Sequence, residues 1–173
     1  MRHGPNVFLC NSGMIRNVNE KDAAEICRIY NPFVTDSTVS FEERPVEVEE
    51  MKRRIREISE HCPYLVYEEE GRVMGYSYVH PWKIRAAYST TMETTVYVSP
   101  EAEGRGVGTV LMKHLIDDCR GMGVHSLIAC ITSDNERSIA FHEKLGFETV
   151  SRFREVGRKF GRWLDVTDME LLL

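Results

Sequence analysis

Two features of this chain are placed to do chemistry together: Glu93, and the glycine run Gly104-Arg105-Gly106-Val107-Gly108 that follows it. Residues 91–98 are β-branched and aromatic, the composition of a strand. Val107, Val110, Leu111, Leu115 and Cys119 recur at helical spacing. A strand that passes through a glycine turn into a helix start offers free backbone N–H groups to an anion. Glycine also lets the main chain close on that anion. A carboxylate on the same strand suggests a base held beside a phosphate-bearing cofactor. The plainer readings are a tight turn before an ordinary helix and a surface carboxylate at a strand edge. No Lys-Ser or Lys-Thr pair follows the glycines, which excludes a P-loop. Gly108 comes one residue too early for the dinucleotide fingerprint.

Lys83 and Arg85 lie between Trp82 and Tyr88, shortly before Glu93. Two cations among aromatic rings suit a carboxylate ligand, although solvated loop charges have the same composition. His142 falls in a helical segment, where a satisfied structural histidine is the alternative. The histidines show no ligand spacing, so no metal is expected.

The elements that must position these residues follow from pattern and punctuation. The 173 residues suffice for one domain with a proper core. A net charge of −5 argues against nucleic acid as partner, and no apolar run approaches the ~20 residues of a membrane span. Five cysteines without a Cys-x-x-Cys pair argue against zinc and disulfide frameworks. Cys27, Cys119 and Cys130 read as buried thiols of a reducing compartment, and Cys130 as core. Residues 1–13 are expected to be a loosely ordered leader, and residues 14–173 the domain.

A first strand is expected over 15–18, then a helix capped by Asn19 and ended by Pro32. A second helix opens at Pro45, buries Val48, Met51, Ile55 and Ile58, and carries Glu49–Arg53 and Glu50–Arg54 pairs. Strands over 64–68 and 73–80 form a hairpin around Gly71. The central strand, the glycine turn and the third helix follow. A strand over 125–131 leads to a helix capped at Ser133-Asp134-Asn135 and closed by Gly146. Strands over 147–155 and 163–172 are joined by a turn containing Gly157 and Gly161. This order predicts an α/β (α+β) layered domain around one mixed sheet of about seven strands with four helices.

The order of elements, the glycine loop after a central strand and the Asn135…Gly146-Phe147 segment resemble the GNAT acetyltransferases, which use acetyl-coenzyme A. Finer motifs resemble the phosphinothricin and methionine sulfoximine N-acetyltransferase subgroup. They are Asp36 to Phe41, Pro81-Trp82-Lys83 with Arg85 and Ala87-Tyr88, Glu93 to Val98, and Trp163-Leu164-Asp165. The resemblance implies a mostly antiparallel sheet. It implies pantetheine pairing along Val96, Tyr97 and Val98, with Asn135 and Ser138 opposite. Gly104, Arg105, Gly106, Val107, Gly108 and Thr109 would hold the pyrophosphate. Glu93 would be the base, and His142, where many relatives carry tyrosine, would protonate the leaving thiolate or order the water that does. Phe41, Trp82, Lys83, Arg85 and Tyr88 would receive a small amino-acid-like amine. A cytoplasmic homodimer is implied as well. One position departs: three residues before Gly106, where Gln or Arg is usual, this chain has Glu103. Acetylation of another amine (a protein N-terminus, a lysine, a polyamine) and a non-catalytic coenzyme-A-binding module are the alternative readings.

Overall fold

The structure, a computed structural model, describes residues 13–173. Residues 1–12, most of the expected leader, lie outside the described residues. The elements are β1 (Gly13–Asn17), α1 (Ala23–Thr35), α2 (Val48–Ser59), β2 (Tyr64–Glu69), β3 (Arg72–Pro81), β4 (Thr91–Val98), α3 (Val107–Gly121), β5 (Ser126–Thr132), α4 (Glu136–Lys144), β6 (Glu148–Lys159) and β7 (Arg162–Leu172). The strands form one sheet in the order β1-β2-β3-β4-β5-β7-β6. Every neighbouring pair is antiparallel except β4–β5. Among the described residues this is the mixed sheet with four helices that the pattern predicts, mostly antiparallel as the resemblance implies.

Alternation along the strands buries both faces of the sheet. On one face Val107, Leu111, Leu115 and Cys119 of α3 pack with Leu65, Met74, Val79 and Leu127. On the other, Ile26 and Ile29 of α1 and Met51 and Ile55 of α2 meet Tyr64, Val66, Val73 and Tyr76. Each such aliphatic side chain contributes about 1.5–3 kcal/mol through burial. Glu70 and Gly71, with φ of 51° and 77°, form the two-residue turn that joins β2 to β3. Two positive φ values match the right-handed twist of the flanking strands.

Several boundaries differ from the sequence reading. β1 begins at Gly13, paired with Glu69, rather than at Ile15. α1 runs through Pro32 to Thr35. A proline so near the helix end forfeits the one bond its missing N–H would make, and its carbonyl still accepts from Asp36 N at 2.9 Å. Glu49 pairs with Lys52 instead of Arg53, whereas the Glu50–Arg54 pair is present. The last turn is at Phe160-Gly161, because β6 continues through Gly157. An irregularity between Phe153 and Gly157, with Glu155 at φ 54°, keeps β6 paired with β7. A Cβ at Gly157 would run into the ring of Phe41, so glycine there admits that side chain. Trp163 of the Trp163-Leu164-Asp165 motif is exposed.

One ion-pair cluster ties β1 to β2 and to the start of α1. Arg16 donates to both oxygens of Asp22, each at 2.8 Å, and to Glu68 at 2.8 Å. Asn19 N–H donates to Asp22 at 2.8 Å, closing a capping box with Asn19. Burial pushes the Asp22 carboxyl up, but the Arg16 guanidinium and the Asn19 N–H outweigh it and leave its pKa below the ordinary value. The resulting stability is fully present above the unfolded carboxylate pKa and is lost as pH falls through the folded one. Asp22→Asn is expected to cost about 2–4 kcal/mol in urea denaturation at pH 7, because Arg16 is left half-paired. The gap to the parent should narrow in acid, where the parent carboxylate is itself protonated. A pH-independent gap would assign the loss to packing.

Candidate active site

β4 pairs with β3 along nearly its whole length, from Met92 opposite Pro81 to Val98 opposite Gly75. Its pairing with β5 covers only Thr91, Met92 and Glu93, opposite Ser126, Leu127 and Ile128. Past Glu93 the two strands part, while β5 stays paired with β7 to Thr132. A cleft of about 800 Å³ opens between them. Residues 94–98 and the glycine turn form one wall, and residues 129–132 with α4 form the other. Main-chain groups on that edge of β4 are left without a strand partner, the condition for pairing an extended ligand.

Gly104 and Gly106 have φ of 73° and 82°, which a side chain would strain, although a Cβ there would meet nothing. Gly106 is the N-cap of α3 and supplies no side-chain cap. The first N–H groups of this 15-residue helix are therefore open to an anion at the cleft. Gly104, Val107, Gly108 and Thr109 line the cleft with it. Arg105 does not; its guanidinium turns away to Glu69, at 2.6 and 2.9 Å. Glu103, the departing position, accepts from Arg137 Nη1 at 2.6 Å. Both residues line the cleft, so this pair links the glycine turn to α4. Arg137 escapes sequence reading because a cation on a helix surface looks like any solvated charge.

Glu93 sits where the strands part, with its side chain 28% exposed and its carboxylate 3.9 Å from His80 Nε2. Cys130, read as core, is exposed in the cleft. The alternation of β5 would bury it if β4 stayed alongside, but β4 has already left. His142 is 4% exposed, and its Nδ1 lies 2.8 Å from the Ser138 carbonyl. A carbonyl only accepts, so Nδ1 carries the proton, and the neutral ring presents Nε2 as an acceptor. Burial between the edge-on rings of Phe141 and Phe147 holds its pKa below the ordinary histidine value. Asn135 Oδ1 caps α4 by accepting from Ser138 N at 3.2 Å, which leaves its amide N–H groups as donors.

The remaining expected site residues lie outside this lining. Lys83 Nζ is 3.7 Å from the Trp82 ring centroid and 5.2 Å from that of Tyr88. This cluster and the exposed Arg85 occupy the β3–β4 connection, beyond the end of β4 that carries Glu93. Phe41 packs on Gly157. Its loop is fastened by Lys159 Nζ donating to Ser40 O and by Thr132 Oγ1 donating to Thr38 O at 2.8 Å. The structure thus gathers Glu93, Val96, Tyr97, Val98, five of the six glycine-turn residues, Asn135, Ser138 and His142 around one cleft. Phe33 and Phe141 also line it, and as apolar helix residues they gave no signal apart from core.

Comparison with known proteins places this geometry. Residues 15–167 match the family model described as an acetyltransferase (GNAT) domain. The L-methionine sulfoximine/L-methionine sulfone acetyltransferase of Salmonella typhimurium is 38% identical over 92% of this chain and 94% of its own. A phosphinothricin acetyltransferase from Sinorhizobium meliloti, solved in complex with AcCoA, superposes with a TM-score of 0.89. It is 35% identical and covers 94% of this chain and 89% of its own. A ribosomal-protein-alanine N-acetyltransferase from Brucella melitensis superposes at 0.90, with 36% identity over 92% and 99%. A sheet that parts beside a carboxylate, an uncapped helix start and a family match over most of the chain converge: the protein belongs to the GNAT family of N-acetyltransferases.

Proposed function

We propose that the protein transfers the acetyl group of acetyl-CoA to the α-amine of a small free amino acid. The substrate is of the methionine sulfoximine, methionine sulfone or phosphinothricin type. The observation that carries this reading is one cleft holding both an uncapped helix start and, at the point where the strands part, Glu93. The pantetheine arm lies along the open edge of β4 at Val96, Tyr97 and Val98. The pyrophosphate meets the N–H groups of Gly106, Val107, Gly108 and Thr109. Asn135 and Ser138 face the arm from α4.

Glu93, directly or through water, takes a proton from the substrate ammonium. The amine nitrogen then bonds to the thioester carbon, an N–H near Val98 steadies the oxyanion, and the C–S bond breaks to release the thiolate. Neutral His142 offers a lone pair at Nε2, so it orders the water that protonates the thiolate rather than supplying the proton. Arg85 and Lys83, beyond the Glu93 end of β4, take the substrate carboxylate. Trp82, Tyr88 and Phe41 wall the side chain. Acetylation of a protein N-terminus is the second reading, favoured by the likeness to the ribosomal-protein enzyme.

A cytoplasmic homodimer belongs to the same proposal. β6 is a sheet edge that exposes Val150, Phe153 and Val156. Such an edge invites pairing with a second copy. Light scattering should give twice the chain mass, and Phe153→Glu should give one chain mass. A parent that runs as a monomer at all concentrations removes the dimer.

Acetyl transfer should be measured across methionine sulfoximine, phosphinothricin, polyamines and peptides with N-terminal alanine. Methionine sulfoximine or phosphinothricin should give the highest kcat/KM, and a peptide winning would select the second reading. Glu93→Gln should lower kcat by about 10²–10⁴-fold with acetyl-CoA affinity unchanged. A loss under about threefold excludes Glu93 as base.

Glu103→Gln removes an anion beside the phosphate site and releases Arg137 to it. Calorimetry should show acetyl-CoA binding about 3–10-fold tighter. The gain should vanish when Arg137→Ala is added; if it persists, Arg137 is not the phosphate contact.

A further inference from the structure

Glu93, Cys130 and Asp168 stand on three successive strands of the sheet. Cys130 is directly opposite Asp168 in the β5–β7 register. Glu93 is opposite Ile128, two positions before Cys130. Residues two apart on a strand share a face, so all three side chains project from the same side of the sheet. By strand register Asp168 is the direct and Glu93 a diagonal neighbour of Cys130, and the charge of each bears on the thiol. Cys130 and Glu93 line the same cleft. Asp168 is fixed from the other side by Ser151 of β6, whose hydroxyl donates to Oδ2 at 3.0 Å.

The other titratable groups around Glu93 are also placed. From β3, His80 approaches at 3.9 Å, and Tyr78 lies on the same face. From β7, Glu170 shares the face but accepts from Ser126 Oγ at 2.7 Å. Partial desolvation by the cleft wall, then the charges of Glu93 and Asp168, push the thiol of the solvent-accessible Cys130 up, so it stays protonated and is a donor rather than a nucleophile.

We infer that Cys130 is a positioning residue whose S–H bridges the Glu93 and Asp168 carboxylates and holds the Glu93 carboxylate at the point where β4 leaves β5. The inference rests on the reading of Glu93 as base. A thiol has one proton, so Asp168 competes with Glu93 for it. Removing the thiol takes this donor away from the ionised form of Glu93. Removing the Asp168 charge frees the thiol for Glu93 and relieves repulsion, so the two substitutions act on the base in opposite senses.

The test is the acid limb of kcat at saturating substrates, compared across variants so that substrate ionisation is common to all. In Cys130→Val the limb should move up by about half a pH unit and kcat should fall about 3–10-fold. In Asp168→Asn it should move down by a similar amount. Cys130→Ser, which restores a donor, should return the limb to the parental position. The series is repeated in a His80→Gln background to separate the titration of the histidine. Cys130→Ala replaces the valine variant if that does not fold. Limbs that move in the same direction, or not at all, overturn the bridge and leave Cys130 as packing. If Glu93→Gln turns over like the parent, the base assignment falls first and the bridge with it. A Glu93→Gln variant that is inactive beside unshifted limbs removes the bridge alone.

Discussion

The site depends on one constraint: β4 keeps its pairing with β3 but loses β5 after Glu93. A continuous ladder would have satisfied the main-chain groups of residues 94–98 internally and left no room for a ligand. The parting exposes a hydrogen-bonding edge and a cavity at the same place. It also decides the environment of Glu93, which is held on one side by the β3 register and opens on the other into the cleft. Cys130 is exposed for the same reason.

The helix start at Gly106 completes that constraint. α3 is fixed over the sheet by Val107, Leu111 and Leu115, all buried, so its uncapped first turn cannot drift. An anion there is met by dipoles already oriented by the core, with little reorganisation needed. Glu103 works against this locally, since a carboxylate beside a phosphate site repels the ligand. Its pairing with Arg137 neutralises the charge and holds a cation at the same mouth.

The opposite face is organised by long-range fastenings of a loop. Residues 36–47 carry no helix or strand, yet they are pinned by Lys159 to Ser40, by Thr132 to Thr38 and by Phe41 against Gly157. Burial pulls the Lys159 ammonium below its ordinary pKa, with Glu43 and Glu42 opposing. The β6–β7 hairpin therefore shapes the loop beside the cleft, and the contact with Gly157 fixes the place of Phe41.

Much was legible in the chain itself. Local periodicity and punctuation determined the elements, their order and the glycine turn, because strand alternation, helix spacing, Asn135 as a cap and positive-φ glycines are local properties. Pro32 and Gly157 misled because neighbours overrode the local rule: α1 was already near its end, and β6 stayed paired with β7 through a bulge. Cys130 misled because an apolar strand reads as buried on both faces, and only the loss of a neighbouring strand uncovers it. The tertiary structure alone decided which side chains share the cleft. Arg105 turned to Glu69 and Arg137 came to Glu103, since a charge selects its partner by distance across strands and helices that are far apart in sequence. The tautomer of His142 likewise followed from the Ser138 carbonyl beneath it, a contact that exists only once α4 is wound. Residue type and spacing specify the chemistry that is available; the register of β4 against β3 and its departure from β5 specify where that chemistry meets.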